Sequence, residues 1–219
     1  MAVRATLTYG IALTALVTVS GCTSSSTSTV RTPTAASIAG EWESLSCEVR
    51  PQKGKDGVQS WYLKRKLRLT GAEIEAEFMT YGDPGCKTPT MKLELGGRYS
   101  VVSDSNVVAG AKQADLTIDR YTRITPLADG FAGFLNSAGP GKCGTDTWLV
   151  GKAQEIKATG CTLLGVAPNV DVKEFEVLYV RDDLLFFAAR PVDGSSPDSA
   201  EKRPTTLQIP LLRVPRRAD

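Results

Sequence analysis

The chain has 219 residues, with 26 basic against 24 acidic side chains, five cysteines and no histidine. So even a charge balance excludes the strong basic excess that a nucleic-acid binder gathers on one face. The lack of histidine excludes Ser-His-Asp and Cys-His catalysis and the usual imidazole metal sites, leaving only carboxylate or lysine chemistry to an enzyme.

The amino-terminal residues read as a targeting segment. Arg4 supplies a short positive region, and residues 5–19 form a mostly apolar run with Thr8, Thr14 and Thr18 inside it. That run is shorter than the ~20 apolar residues of a membrane span but suits a signal peptide. Val19-Ser20-Gly21-Cys22 follows, an aliphatic residue, two small residues and a cysteine. This resembles a lipobox, which implies cleavage after Gly21 and lipidation of the Cys22 thiol. The expected product is an exported, membrane-anchored, bacterial-type lipoprotein; with Thr23 and not an inner-membrane-retaining Asp after the cysteine, the outer membrane is its expected address if the host is Gram-negative. Residues 22–37 are then a lipid-anchored tether of mostly Ser, Thr, Ala and Pro, too poor in apolar residues to order itself. Its reach as a flexible chain is on the order of 20 Å. Residues 38–214 are expected to be one folded domain, with 215–219 as a tail.

With Cys22 committed to lipid, Cys47, Cys86, Cys143 and Cys161 remain. An even count in an exported chain favours two disulfides over a metal site, because no Cys-x-x-Cys pair is present. Three pairings are possible. Cys47 with Cys86 and Cys143 with Cys161 are expected, since each pair falls within one local block of strands and motifs. No metal and no cofactor is expected.

Period-two alternation dominates the domain. Over residues 61–70, Trp61, Leu63, Leu67 and Leu69 share one face with the lone charge Arg65, and Tyr62, Lys64, Lys66 and Arg68 share the other. Ile74, Ala76 and Phe78 alternate with Glu73, Glu75 and Glu77, so the two runs read as antiparallel neighbours turning at Thr70-Gly71-Ala72. Their basic and acidic faces then lie side by side as solvated sheet surface. Met91, Leu93 and Leu95 follow, with Gly96-Gly97 read as a turn into Tyr99 and Val101. Leu116, Ile118 and Ile124 keep one parity. Phe175, Val177 and Tyr179 are read as an apolar face opposed to Glu174 and Glu176, before a turn at Asp182-Asp183 and the apolar run 184–189. Leu207, Ile209 and Leu211 form a last strand, at an edge or bulge because of Pro210. Only residues 127–144 leave room for a short helix. The class is therefore all-β and antiparallel, a closed or nearly closed β-barrel with at most a short helix. A two-sheet sandwich would give the same pattern.

Gly40-Glu41-Trp42 resembles the Gly-x-Trp signature of lipocalin-like barrels, in which the Trp closes one end. Longer strings carry a second resemblance: Cys47-Glu48-Val49-Arg50-Pro51 and Tyr81-Gly82-Asp83-Pro84-Gly85-Cys86 near the start, then Cys161, Leu164-Gly165-Val166, and Arg190-Pro191-Val192-Asp193-Gly194-Ser195-Ser196-Pro197-Asp198. Together with Arg203-Pro204-Thr205 and Pro210-Leu211, these blocks resemble the extracellular domain of the adenomatosis polyposis coli down-regulated protein family, across roughly residues 38–213. The vertebrate protein is a membrane-tethered Wnt inhibitor with two such domains and a C-terminal transmembrane helix. The resemblance implies an extracellular barrel whose internal apolar pocket takes an acyl chain. It does not imply Wnt inhibition for a one-domain bacterial-type lipoprotein.

The residues themselves give plainer readings of these blocks. Glu48 and Arg50 share a strand face and read as a surface ion pair with each other or a neighbour, worth ~0–1 kcal/mol. The Asp193–Asp198 string is turn chemistry, short of the acidic ligands that a calcium loop needs. The expected function is a non-enzymatic binding module for an acyl chain or other apolar ligand in an internal pocket. Alternation selects Trp42, Leu63, Leu67, Phe78, Met91, Leu93, Leu116, Ile118 and Trp148 as its lining, with Phe131 and Phe134 as a lid. The alternatives are a filled barrel that acts as an envelope structural or protein-interaction lipoprotein, with an unknown envelope partner, and a histidine-free enzyme.

Overall fold

The computed structural model describes residues 35–54 and 56–215. Cys22, the signal read over residues 1–21 and most of the tether lie outside the described residues. Ten strands form one antiparallel sheet: β1 (Gly40–Ser44), β2 (Glu48–Gly54), β3 (Gly57–Thr70), β4 (Glu73–Tyr81), β5 (Pro89–Asp104), β6 (Lys112–Pro126), β7 (Gln154–Glu155), β8 (Val172–Arg181), β9 (Leu184–Phe186) and β10 (Leu211–Arg213). Among the described residues two α-helices accompany them, α1 (Ala35–Ile38) and α2 (Asp129–Asn136), with short 3-10 turns at Thr162–Leu164 and Ala200–Lys202. The first starts inside the stretch read as tether. The second falls where the alternation lapses.

Long strands organise the sheet by sharing their edges. One edge of β3 pairs first with β2, Leu63 opposite Glu48, and then with β1, Lys66 opposite Glu43. Its other edge pairs with β4 along nine residues around the turn at Gly71, whose φ of 60° favours glycine. Lys66 faces Glu77 and Arg68 faces Glu75, so the basic and acidic faces do lie together. Strand β6 likewise divides one edge between β8 and β7. The remaining pairings run β8–β9, β9–β10 and β10–β1. Strand β1 therefore pairs with both β10 and β3.

Three expectations are corrected. Gly96-Gly97 is not a turn, because β5 runs straight through it. The register with β6 shifts there, from Gly96 opposite Tyr121 to Arg98 opposite Thr117. A shift of two residues keeps side-chain parity, so Leu93, Leu95, Tyr99 and Val101 stay on one face. The glycines serve close approach: a Cβ on Gly97 would stand 2.1 Å from the Thr117 carbonyl oxygen. Second, β8 turns the opposite face inward. Leu178, Val180 and Val172 join the main core, while Val177 and Tyr179 pack with Ala111, Ala188 and Leu207 on the outer side. Burial on both faces hid the true parity, and it brings Glu174 and Glu176 inward. Third, of the expected last strand only Leu211 is in regular pairing; Leu207 makes an isolated bridge and Ile209 is exposed.

The main core gathers Ile38, Trp42, Leu69, Ile74, Tyr99, Leu116, Leu178, Leu185 and Leu211. Trp42 is fully buried, donates its indole N–H to the Ile38 carbonyl at 2.9 Å, and carries the Arg213 guanidinium 4.0 Å above its ring. Arg213 in turn donates to the carbonyls of Ser37 and Ala39, which pins α1 across this end. A second core of Ile124, Ala132, Leu135, Trp148 and Ile156 lies under the Cys143–Cys161 disulfide. The other disulfide joins Cys47, between β1 and β2, to Cys86, between β4 and β5. These are the expected pairs, and they leave no thiolate among the described residues for a zinc site.

Candidate functional site

The inward faces of β3, β4, β5 and β6 do not meet everywhere. Leu63, Leu67, Ile74, Ala76, Phe78, Met91, Leu93, Leu95, Leu116 and Ile118 line a cavity of about 390 Å³, joined by Phe187 from beyond β9. That volume lies within the ~300–1,000 Å³ of small-molecule sites. Alternation explains why these residues converge, since every second side chain of a half-buried strand points the same way. Seven expected lining residues are here: Leu63, Leu67, Phe78, Met91, Leu93, Leu116 and Ile118.

Four expected positions are elsewhere. Trp42 is plugged into the solid end of the core and does not reach the cavity. Trp148 is held in the second core, its indole N–H donating to the Cys143 carbonyl at 2.8 Å. Alternation selects it, but its segment is loop, where that rule has no force. Phe131 and Phe134 on α2 line a separate surface groove. Trp61 and Thr80 border both that groove and the cavity, so the two phenylalanines are neighbours of the site rather than its wall.

One end of the cavity is polar, and alternation does not reveal it. Arg50 and Gln52 come from β2, Arg65 from β3, Glu174 from β8, and Arg190, Gly194, Ser195, Ser196 and Gln208 from the chain after β9. Residues 191–197 wrap this end. The Lys53 backbone N–H donates to the Val192 carbonyl at 2.7 Å, and Asp193 Oδ1 accepts the Ser195 N–H at 2.9 Å, the turn expected of that string. Two of the strings behind the family resemblance thus converge here, Glu48 and Arg50 from one, Arg190 and Gly194–Ser196 from the other.

The charges of this end are specifically arranged. Arg65, 3% exposed, donates from Nε to Glu48 Oε1 at 2.9 Å and from Nη2 to the Ile209 carbonyl at 2.9 Å. The Ser44 hydroxyl donates to the same Glu48 oxygen at 2.6 Å and accepts the Arg65 backbone N–H at 2.7 Å. That last bond fills the ladder gap where β3 changes partner from β2 to β1. Glu48 thus pairs with a neighbour and not with Arg50, and the pair is buried where a surface ion pair was expected. Its partner is the one charge on the apolar face of β3. Removing either member of such a buried pair costs about 3–5 kcal/mol.

Arg190 stands between two carboxylates, with Nη2 2.5 Å from Glu174 Oε2 and 2.7 Å from Glu176 Oε1. Glu176 is 1% exposed, opposite Ala114 of β6, with Arg190 as its charged partner and the Ala188 backbone N–H as a weaker one. Burial pushes its carboxyl up to about 7; Arg190 offsets part of the rise and Glu174 adds to it. Arg50 donates from Nη2 to Gln208 Oε1 at 3.1 Å and has no carboxylate within 4.0 Å among the described residues. Burial, with Arg65 and Arg190 nearby, lowers its guanidinium to about 10, so it stays charged at neutral pH.

A family model described as Adenomatosis polyposis coli down-regulated 1 matches residues 17–218, nearly the whole chain. The chain belongs to this family. The family's domain here thus comprises the ten-stranded sheet, both disulfides and a cavity that is apolar along its strands and charged at one end. Among the described residues no group of three acidic, cysteine or histidine side chains is placed to hold a metal.

Proposed function

We propose that the ring of pairings returning to β1 closes as a β-barrel, and that the barrel binds the acyl chain of a lipid or a similar apolar ligand. The observation that carries this reading is the cavity itself: Phe78, Leu93 and Leu95 point inward yet are only part-buried, because none of the described residues fills the space before them. Apolar surface left open to water inside a fold is what a ligand would cover at a gain of about 25 cal/mol per Å². The protein acts as a binding module and not as a catalyst. Its place is outside the cytoplasm, where both disulfides persist, on a membrane through lipid on Cys22. No protein partner is needed for this role.

Native mass spectrometry of the full chain purified from cells should show an added mass that releases as an acyl lipid. Ala76 lies in the cavity wall, so Ala76→Trp should fill the space and abolish the adduct while the melting temperature holds or rises. An unloaded native protein that also fails to bind added fatty acyl compounds, with Ala76→Trp unfolding it, would mean a filled interior and a function on the outer surface.

A further inference from the structure

The acyl-binding reading leaves the other end of the ligand open, and the charges at the mouth address it. Three arginines border the cavity, but they are not equivalent. Arg65 is committed to Glu48, and Arg190 to Glu174 and Glu176. Arg50 alone of the three has no carboxylate within 4.0 Å among the described residues, only the Gln208 amide oxygen. A half-buried guanidinium held by a single neutral acceptor keeps most of its five N–H donors for something else. Its position is also telling. The neighbouring Ser195 and Ser196 are exposed, so this is the rim of the cavity, while the apolar wall lies deeper among β3, β4 and β5. A ligand would enter tail first and leave its head at Arg50.

Resting on that reading, we propose that the occupant is an anionic amphiphile whose carboxylate or phosphate monoester is held at the rim by Arg50. Guanidinium is suited to the task because its planar fork meets both oxygens of such a group. Charge balance points the same way. Glu176, with its carboxyl near 7, is partly protonated at neutral pH, so the three arginines outweigh Glu48, Glu174 and Glu176. An anion restores neutrality; a neutral ester does not.

The test follows the fluorescence of the full chain, stripped of lipid, as ligand is added, Trp61 being in the cavity wall. The ligands are dodecanoic acid, dodecyl phosphate and methyl dodecanoate at neutral pH, below their aggregation limits. At least one anion should bind tenfold or more tighter than the ester, and the tighter of the two names the source of the head group. Arg50→Gln should bring anion affinity down to that of the ester, with the ester itself unchanged, and Arg50→Lys should restore part of the difference. Equal binding of all three by the native protein would overturn the anionic head and leave the acyl cavity standing. An anion preference that survives in a folded Arg50→Gln would overturn the role of Arg50. Binding of none would overturn the acyl reading itself. The native comparison of acid with ester decides the head group even if Arg50→Gln fails to fold.

Discussion

The interior has a solid end and an open end, both built from the same strands. Around Trp42, the side chains of Leu178, Leu185 and Leu211 have no exposure at all. Further along β4 and β5, Phe78, Leu93 and Leu95 point to the same side and remain part-exposed. Hydrophobicity does not distinguish the two ends; what stands across from them does. The solid end is closed by α1, β9 and β10, whose Ile38, Leu185 and Leu211 interdigitate with β3 and β4. The open end faces Arg50, Arg65, Glu174 and Arg190. Charged groups that need water or a partner cannot be packed dry against leucine without a large desolvation cost, so the sheet stays apart there. A cavity is thus maintained by the polar groups at its rim as much as by the apolar groups in its wall.

The sharpest way to break the comparison is at the solid end. Trp42→Ala removes a fully buried indole, its hydrogen bond to Ile38 and the ring under Arg213. The expected loss is about 3–5 kcal/mol, read as a shift of the urea midpoint. The cavity does not include Trp42, so whatever stays folded should keep its ligand affinity. A loss below about 1 kcal/mol would mean that this end is not solid.

How much of this division was legible beforehand follows from what alternation can and cannot encode. Leu63, Leu67, Phe78 and Leu93 were readable because their strands bury one face only. Alternation misplaces Glu174 and Glu176 because β8 is buried on both faces, and its odd residues, Phe175, Val177 and Tyr179, are the more apolar set. Glu48 and Arg65 lie 17 residues apart in sequence. Their pairing depends on β3 exchanging β2 for β1, which no local pattern records. Arg65 was nevertheless visible as a lone charge on an apolar face, and a buried partner was the physical consequence to draw. The polar rim needed the fold, because residues 48–52, 190–196 and 208 meet only in three dimensions.

The rim should also mark itself by pH. Glu176 faces Arg190 and Glu174, with Arg50 further off, and β6 offers it only Ala114 from the opposite position. Its folded carboxyl is raised to about 7, above the usual carboxylate range. Between about pH 4.5 and 7 the native state therefore holds a proton that the unfolded chain has released, so stability falls as pH rises through that window. Below it the penalty is absent and above it complete, at roughly 3 kcal/mol. Other carboxylates titrate as well, so the readout is the difference between the native protein and Glu176→Gln. Urea midpoints of the two should diverge as pH rises towards 7, the variant being the more stable. Parallel curves would show that Glu176 ionises normally and is not sealed behind the rim.

The smallest effect on stability is expected where binding should respond most. Leu93 pairs with Phe78 on one side and Ile124 on the other, and its side chain reaches into the cavity while touching the second core. In a packed interior, Leu→Ala costs about 2–5 kcal/mol, the spread reflecting the void that is left. Here the void exists already, so truncation enlarges a space instead of creating one, and few dispersion contacts are forfeited. The expected loss is about 1 kcal/mol in the lipid-free protein. With an acyl ligand present the contrast should reverse, since the ligand stabilises only the folded form and has lost a wall contact in the variant. Leu93→Ala should then lose more stability with ligand than without it, whereas Trp42→Ala should lose the same in both. A cost of 3 kcal/mol or more for Leu93→Ala without ligand would erase the distinction between the two ends and with it the cavity as a binding site.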